Sequence, residues 1–200
     1  MAGTRKFDER DVLDRAMAVF WERGYDATSV DDLEAATGIK RGSLYNAFRD
    51  KQGLFLAALD RYAERFETPM LAALGQPGAR RAVAGMFDAQ IAALADRDTP
   101  HGCLATNTCV EAGPRDDDIG RRVRQRAAAQ ETAIYEALLS GQANGELEAG
   151  RDLRAMARFF AATSRGIALT HRSFGDIDQV RDIAKTALAI FDSPTDRTTD

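Results

Sequence analysis

The sequence predicts an all-α protein, and three observations lead to that prediction. Apolar residues recur every three or four positions over most of the chain, which is the spacing of one helix face. Alternating runs of β-branched residues, which are typical of strands, are missing, and Gly- and Pro-containing turn sequences separate the periodic segments. Short helical segments come first and longer ones follow. We therefore expect an N-terminal three-helix unit with a helix-turn-helix and then a helical domain, about nine helices in total.

Caps and breakers place these elements in order. Gly24 ends the first helix, and Ser29 with Asp32 three residues later resembles a capping box that opens the second, which Gly38 ends. Proline interrupts helical hydrogen bonding, so we expect the fourth helix to fray before Pro69 or to kink there. The nine predicted helices span about 8–23, 29–37, 43–48, 51–66, 79–96, 103–112, 115–142, 152–173 and 176–192.

Composition limits the class of protein. The 200 residues are 44% hydrophobic and 29% charged, which is typical of a globular protein with a real core. The net charge of −4 excludes a generally basic nucleic-acid coat, so any contact with nucleic acid must be local. No apolar run is long enough for a membrane span, and the N-terminus lacks a signal-peptide pattern, so we expect a cytoplasmic protein without membrane contact. Two cysteines and two histidines leave little material for a disulfide framework or a metal site, and we expect no cofactor.

The first fifty residues predict a DNA-binding unit. Their second and third short helices are joined by a tight glycine-containing turn, which is typical of a helix-turn-helix that presents its second helix to the major groove. Residues 39–51 carry four basic side chains against one carboxylate, although the whole chain is acidic. Such a local basic surface attracts phosphate groups and releases their counterions.

Segment 28–55 resembles the DNA-binding region of TetR-family transcriptional regulators. The matching residues, in order, are Ser29, Ala35, Gly38, Ile39, Gly42, Ser43, Leu44, Tyr45, Phe48 and Lys51. One position departs from the pattern, because Asp31 stands where the family often has a basic residue. The resemblance implies a helix-turn-helix DNA-binding domain over 1–52 and a helical regulatory and dimerisation domain over 53–192. The polar segment 193–200 is expected to be a disordered tail.

Only side chains near the start of so short a recognition helix can reach base edges, so Lys40, Arg41, Ser43 and Asn46 are candidates. Arg41 is the first choice for a guanine, with a phosphate as its alternative target. The resemblance implies that Tyr45 and Lys51 contact the DNA backbone beside Ser29, although Tyr45 has the alternative role of a packed aromatic. The predicted DNA-binding residues are Ser29, Lys40, Arg41, Gly42, Ser43, Tyr45, Asn46 and Lys51.

The resemblance implies that the regulatory half encloses a ligand cavity and pairs with a second copy. Pairing is also expected physically, because one short recognition helix reads too few base pairs alone. The predicted cavity residues are Met86, Phe87, Gln90, Ile91, Cys103, Asn107, Val110, Tyr135, Phe159, Phe160 and Arg165. The predicted dimer-interface residues, on the last two helices, are Met156, Ile167, Val180, Ile183, Ala187, Leu188 and Phe191. For both sets the alternative is plain intrachain core.

Cys103 has two interpretations. The run Gly-Cys-Leu-x-x-Asn at 102–107 resembles that of some TetR-type repressors that respond to electrophiles or oxidants, and a helix N-terminus favours a reactive thiolate. The alternative is an inert buried cysteine. Cys103 and Cys109 are six residues apart on one predicted helix and on different faces, so we do not expect a disulfide between them.

The function predicted from these observations is a homodimeric repressor. A small-molecule effector, or modification of Cys103, would release it from a palindromic operator in double-stranded DNA. The alternatives are an activator of the same fold and, less favoured, a helical adaptor or an enzyme that has lost DNA binding. No catalytic triad order, phosphate-binding glycine loop or metal-ligand cluster supports an enzyme.

Overall fold

The computed structural model describes residues 7–115 and 117–192, and every element of regular structure within them is helical. The predicted tail, 193–200, lies outside the described residues. Nine helices, α1 to α9 in chain order, account for the described chain, which confirms the all-α prediction. They are α1 Glu9–Arg23, α2 Val30–Thr37, α3 Arg41–Phe48, α4 beginning with Lys51–Tyr62, α5 Ala79–Leu94, α6 Leu104–Ala112, α7 Asp118–Ala143, α8 Leu153–Phe174 and α9 Ile177–Leu188.

The first two helices begin and end at the residues that the sequence predicts. The Ser29 hydroxyl accepts a hydrogen bond from the Asp32 backbone N–H at 3.1 Å, and the Asp32 carboxylate accepts one from the Ser29 backbone N–H at 2.9 Å. This reciprocal pair is a complete capping box for α2. Gly38 then adopts a left-handed conformation, with φ of 72°, which ends α2 and turns the chain toward α3.

The recognition helix α3 begins at Arg41, two residues earlier than predicted. Lys40 occupies its N-cap position without a side-chain capping bond. The Glu34 carboxylate of α2 accepts a hydrogen bond from the Arg41 backbone N–H instead, so the orphan donor at the start of α3 is satisfied from the preceding helix. The sequence prediction missed this start because the capping group lies seven residues away.

The helix α4 continues through Pro69, where it was expected to fray or kink. A π-helical turn, Ala63–Glu67, follows Lys51–Tyr62, and Thr68–Ala72 and the 3-10 turn Ala73–Gly75 complete α4. In the π turn the Thr68 backbone N–H bonds to the Ala63 carbonyl, five residues back. Pro69 therefore falls in the first turn of the next helical stretch, where a missing backbone N–H costs little. The prediction that the helix frays is wrong for this reason.

Two hydrophobic clusters form the core. The N-terminal cluster joins α1–α3 and the first half of α4 around Phe20 and Phe55, and the C-terminal cluster joins α5, α7, α8 and α9 around Phe87 and Phe160. Because three short helices cannot bury a core alone, the N-terminal cluster also takes side chains from α6 and the start of α7. These are Leu104, Ala112, Ile119 and Val123. The helix α6 contacts α1, α4, α7 and α8, so it lies between the two clusters.

Within the described residues, no helix is both long enough and apolar enough to cross a membrane.

Candidate DNA-binding surface and regulatory cavity

The first turns of α3 present an exposed polar surface. Lys40, Arg41, Gly42, Ser43 and Asn46 are all exposed, while Leu44 and Phe48 on the opposite face are buried in the N-terminal cluster. A Cβ at Gly42 would meet no atom of the described residues within 4 Å, so the surface at this position is open. The structure therefore exposes all of the predicted base-reading residues at the start of α3.

Two contacts shape the basic groups of this surface. The Arg41 guanidinium carbon lies 5.1 Å from the centre of the half-buried Tyr45 ring, which is cation–π range. Lys40 Nζ lies 3.7 Å from Glu34 Oε2. Glu34 therefore contacts both the Lys40 ammonium group and the Arg41 backbone N–H at the start of α3. No sequence pattern pointed to Glu34 as part of this surface.

A second patch lies where α4 begins. Lys51 Nζ lies 4.5 Å from the centre of the Tyr25 ring and 3.5 Å from the Asp26 carbonyl oxygen. Burial, followed by the carboxylates of Asp50 and Asp26, raises the pKa of Tyr25. The loop after α1 therefore holds Lys51 through an aromatic face and a carbonyl.

The capping box beside this patch is ionised at physiological pH. The Ser29 hydroxyl, then the Ser29 backbone N–H and Arg23, lower the pKa of Asp32 to about 2. Ser29 is itself exposed at the start of α2, whose first turn carries the carboxylates of Asp31 and Asp32.

Side-chain contacts tie the loop after α1 to α6. The Glu111 carboxylate accepts hydrogen bonds from the backbone N–H groups of Tyr25, at 3.0 Å, and Asp26, at 2.6 Å. Arg115, which follows α6, forms an ion pair with Asp26, and this hydrogen-bonded pairing lowers the pKa of Asp26. The loop that holds Lys51 thus depends on the position of α6.

Further polar contacts hold α1 against the regulatory half. Arg61 of α4 makes a two-point ion pair with Asp14, with N–O distances of 2.9 and 3.0 Å. Arg172 of α8 donates to the carbonyl oxygens of Trp21, at 3.4 Å, and Glu22, at 2.6 Å, at the end of α1. Two helices of the regulatory half, α4 and α8, thereby fix the orientation of α1.

A cavity of about 80 Å³ lies where α1, α4, α5, α6, α7 and α8 meet. Its lining includes the aromatic and apolar side chains of Trp21, Tyr62, Phe66, Met70 and Leu71. It also includes both cysteines and the polar side chains of Glu67, Gln90, Thr106, Arg126, Gln130, Ser164 and Arg165. Phe66 and Glu67 belong to the π-helical turn of α4, a type of irregularity that is frequent at functional sites.

Two polar networks line this cavity. Arg126 pairs with Glu67 at 2.6 Å and with Asp60 at 2.6 Å. Burial raises the pKa of Glu67, and the Arg126 charge opposes that rise. In the second network, the Gln90 amide donates to the Ser164 backbone carbonyl at 2.8 Å, and the Ser164 hydroxyl donates to Gln90 Oε1 at 2.9 Å. Gln130 donates to the same Ser164 hydroxyl at 2.9 Å.

Known proteins match both halves of the chain. Residues 12–58 match the family described as bacterial regulatory proteins, tetR family, and residues 78–187 match the tetracyclin repressor-like C-terminal domain. The HTH-type transcriptional repressor ComR of Escherichia coli (strain K12) is 36% identical over 187 residues, which cover 92% of this chain and 89% of ComR. The chain belongs to the TetR family. This confirms the family resemblance and makes the chain a DNA-binding transcriptional regulator rather than an enzyme.

Two further TetR relatives extend the match. The uncharacterized regulator YezE of Bacillus subtilis (strain 168) is 31% identical, and the alignment covers 96% of this chain and all of YezE. Among solved structures, a cysteine mutant of the TetR regulator CifR complexed with 26bp double-strand operator DNA superimposes with a TM-score of 0.86. That match has 30% identity and covers 92% of this chain and 97% of the CifR chain.

Within this TetR fold, only some of the predicted cavity residues line the cavity. Gln90, Cys103 and Arg165 line the cavity, whereas Met86, Phe87, Ile91 and Phe160 are buried in the C-terminal cluster. Asn107, Val110 and Tyr135 lie outside the lining, and Phe159 faces solvent with 42% of its surface exposed. The helix α8 has apolar residues on two faces, and periodicity alone did not tell which one turns inward. Trp21, Tyr62 and Phe66 also line the cavity and were not among the predicted cavity residues, because their helical spacing is equally typical of plain core.

Cys103 occupies the N-cap of α6. Its Sγ accepts hydrogen bonds from the Tyr62 hydroxyl at 3.1 Å and from the Thr106 backbone N–H at 3.4 Å. Cys109 points its Sγ toward the Val123 carbonyl at 3.8 Å, and burial raises the pKa of its thiol. Both thiols are free, as expected, and both are half-buried and border the same cavity.

Some of the predicted interface residues are buried within the chain, and the others are partly buried. Met156, Ile167, Val180 and Ala187 are buried in the chain's own C-terminal cluster, so these four positions have no surface to offer a second copy. Ile183, Leu188 and Phe191 are partly buried against the same cluster. The apolar side chains that α8 does expose are Phe159, Leu169 and Phe174.

The described residues contain no group of three or more His, Cys, Asp or Glu side chains placed to hold a metal ion.

Proposed function

We propose that the chain is a homodimeric repressor that binds a palindromic operator through α3 of each copy. An effector in the cavity, or modification of Cys103, would release it. The observation that carries the proposal is the contact of Glu111 with the loop after α1, because it joins the DNA-binding surface to α6, the helix that opens at the cavity. The similarity to ComR, a transcriptional repressor, and to CifR, which binds operator DNA, supports the same role.

In this proposal the exposed first turns of α3 read bases. Arg41 bonds to a guanine through two N–H groups, with Lys40, Ser43 and Asn46 beside it. Tyr45, Lys51 and Ser29 contact phosphates, and the bare surface at Gly42 lets the DNA backbone approach closely. Ion pairing of Lys40 with Glu34 holds that lysine ready at the helix start.

The proposed dimer forms through the exposed face of α8 and the adjoining α9. Phe159 and Phe174 are 42% and 70% exposed in the single chain, and large apolar side chains so exposed favour an interface. A Cβ at Gly166 of the same helix would meet nothing within 4 Å, so a partner helix can approach closely there. Two-fold pairing would place the two α3 helices in successive major grooves, about 34–36 Å apart or a multiple of that distance.

Release follows from two states of α6. An effector that fits the cavity better in one position of α6 shifts the protein toward that position, by its differential affinity for the two states. Glu111 carries the change to Tyr25 and Asp26, and Asp26 contacts Lys51. The two α3 helices then no longer match successive grooves.

Modification of Cys103 would act at the same helix. An added group on Sγ competes with the hydrogen bonds from Tyr62 and Thr106, and it removes the N-cap of α6. The inert-cysteine alternative predicts no effect on DNA binding.

The decisive experiment selects binding sites from a random duplex library with purified, reduced protein and measures anisotropy at several salt concentrations. We expect a palindromic site and steep salt dependence. Arg41→Ala should relax the preference at one base of each half-site, by about 1–3 kcal/mol of discrimination, whereas Lys51→Ala should weaken binding to every sequence. Arg81→Ala, on the exposed side of α5, is the matched control and should change neither. Equal losses on operator and random DNA for both variants would contradict this division.

The dimer has its own test. Phe159→Asp should convert the protein to monomers in sedimentation experiments, since it places a charge in the proposed interface. Val110→Asp introduces the same charge at another exposed apolar residue, on α6, and should leave the mass unchanged. A Phe159→Asp protein with the mass of the parent would rule out this face.

The cysteine hypothesis is tested with N-ethylmaleimide. The reagent should release DNA from the parent protein and from Cys109→Ser, but not from Cys103→Ser. If Cys103→Ser is still released to the same extent, Cys103 is not the sensor.

A further inference from the structure

Trp21 contributes an unpaired donor to the cavity wall. Its side chain is only 3% exposed, and its indole Nε1 is buried without a hydrogen-bond partner among the described residues. The ring packs edge to face against Tyr62 and Phe66, at centroid distances of 5.0 and 5.3 Å. A buried N–H that has lost water and found no acceptor costs free energy, and native proteins rarely leave one without a reason.

Arg126 supplies a second unpaired donor in the same cavity. Two of its nitrogens bond to Glu67 and Asp60, and its Nε is buried without a partner in the described part of the chain. Trp21 and Arg126 thus both line the cavity, and each holds one N–H that lacks an acceptor. Both free groups are donors, so the missing partner is an acceptor.

Arg165 adds a positive charge that the cavity does not balance. Glu67, the carboxylate in the lining, is engaged by Arg126 at 2.6 Å. The Arg165 side chain is half-buried in the same lining, and its guanidinium forms no ion pair or hydrogen bond with the residues at 7–115 and 117–192. A half-buried cation without a counter-ion favours an anionic occupant.

We propose that this cavity takes a small aromatic or alicyclic acid. Its ring packs on Trp21, Tyr62 and Phe66, and its acidic group accepts from Trp21 Nε1 and Arg126 Nε and neutralises Arg165. The volume of about 80 Å³ counts only the space that the centres of water molecules can reach, and in this measure each water takes roughly 10–15 Å³. The cavity therefore holds roughly five to eight waters, which suits one six-membered ring with a small acidic substituent. This inference rests on the proposed function in taking the cavity as the effector site, and it names the chemical class of the effector.

The position of Trp21 gives such an acid a direct route to the DNA-binding unit. Trp21 lies in the last turn of α1, and its carbonyl and that of Glu22 already accept from Arg172 of α8. An acid that bonds to Trp21 and Arg165 together would link α1 to α8 through the cavity as well.

Trp21 is the only tryptophan in the chain, so its fluorescence reports the cavity in the unmodified full-length protein. The probes are benzoate and benzamide, which share shape and ring but differ in charge. We expect benzoate to produce a saturable change in Trp21 emission at millimolar concentrations and to bind at least tenfold more tightly than benzamide, about 1.4 kcal/mol. Equal binding of the two probes, or no saturable change with benzoate, would overturn the proposal.

Variants identify the residue that recognises the charge. Arg165→Gln should bring benzoate affinity down to that of benzamide without changing benzamide affinity, and Arg165→Lys should restore most of the preference. Arg81→Gln, an exposed arginine on α5, should leave both affinities unchanged. A preference for benzoate that survives Arg165→Gln would remove Arg165 from the proposal.

Operator anisotropy separates this inference from the proposed function. If benzoate binds but operator DNA stays bound, the ligand class stands and effector release fails. If the protein binds operator DNA but no saturable benzoate binding is found, the regulator stands and the ligand class fails.

Discussion

The DNA-binding unit and the cavity are built in opposite ways. The surface on α3 comes from one short stretch of sequence, so its residues are neighbours along the chain before they are neighbours in space. The cavity takes side chains from six helices, between Trp21 and Arg165. A local pattern can predict the first kind of site and not the second, because the second depends on how distant helices pack.

The sharpest test of this contrast is the same substitution, glycine to alanine, made at Gly53 and at Gly42. A Cβ at Gly53 would lie 2.0 Å from the Phe48 carbonyl oxygen, so Gly53→Ala must move the backbone between α3 and α4. We expect a loss of about 3 kcal/mol in the free energy of unfolding, at the upper end for overpacking. Urea unfolding measures it.

Gly42→Ala is the matched control, because a Cβ there meets nothing within 4 Å. It should raise the stability by about 0.5 kcal/mol, since alanine favours a helix over glycine. Operator affinity should nevertheless fall if DNA approaches Gly42 closely. A Gly53→Ala protein as stable as the parent would show that the packing between α3 and α4 yields easily.

The contact of Glu111 with the loop after α1, which joins the two regions, gives the next largest effect. Glu111→Ala removes the acceptor of two backbone N–H groups, those of Tyr25 and Asp26. We expect a loss of about 2 kcal/mol in thermal or urea unfolding, because bonds to a charged acceptor are stronger than neutral ones. Operator affinity should fall as well, since the loop that holds Lys51 loses its support.

Glu136→Ala serves as the control for that variant. Glu136 is exposed on α7 and has no partner among the described residues, so both stability and DNA affinity should stay as in the parent. Should Glu111→Ala lose stability but keep full operator affinity, the contact would be structural only.

The same contrast explains what the sequence could predict. The all-α fold and the capping box at Ser29 follow from local patterns, as does the exposure of Arg41 and Asn46 on α3. The start of α3 was placed late because Glu34 caps it from another helix. Phe159 was misassigned because the cavity side of α8 is decided by its packing against α7 and α9, which no local pattern records.

A smaller effect is expected at the capping box. Ser29→Ala removes the acceptor for the Asp32 backbone N–H and should cost about 1 kcal/mol in the free energy of unfolding. Ser140→Ala, at an exposed position within α7, has no cap to lose and should be neutral or slightly stabilising. Equal stabilities of the two variants in urea unfolding would mean that the capping box of α2 does not contribute to the free energy of unfolding.

The smallest predicted effect is a pH dependence on the regulatory side. His171 Nδ1 accepts a hydrogen bond from the Gly102 backbone N–H at 3.1 Å, which requires the neutral ring. Burial, and then the His101 ring at a centroid distance of 4.8 Å, lowers the pKa of His171. The unfolded chain therefore takes up this proton first as the pH falls. The free energy of unfolding should rise with pH up to the unfolded pKa of about 6.5 and level off above it.

His171→Gln isolates this contribution, because an amide oxygen can still accept from Gly102 but does not titrate. Urea midpoints between about pH 5 and pH 7.5 should rise less steeply in that variant than in the parent. His101→Gln removes only the second cause and should reduce the slope in part. If His171→Gln keeps the full slope of the parent, another group titrates in this range, and the bond between α8 and the start of α6 does not depend on pH.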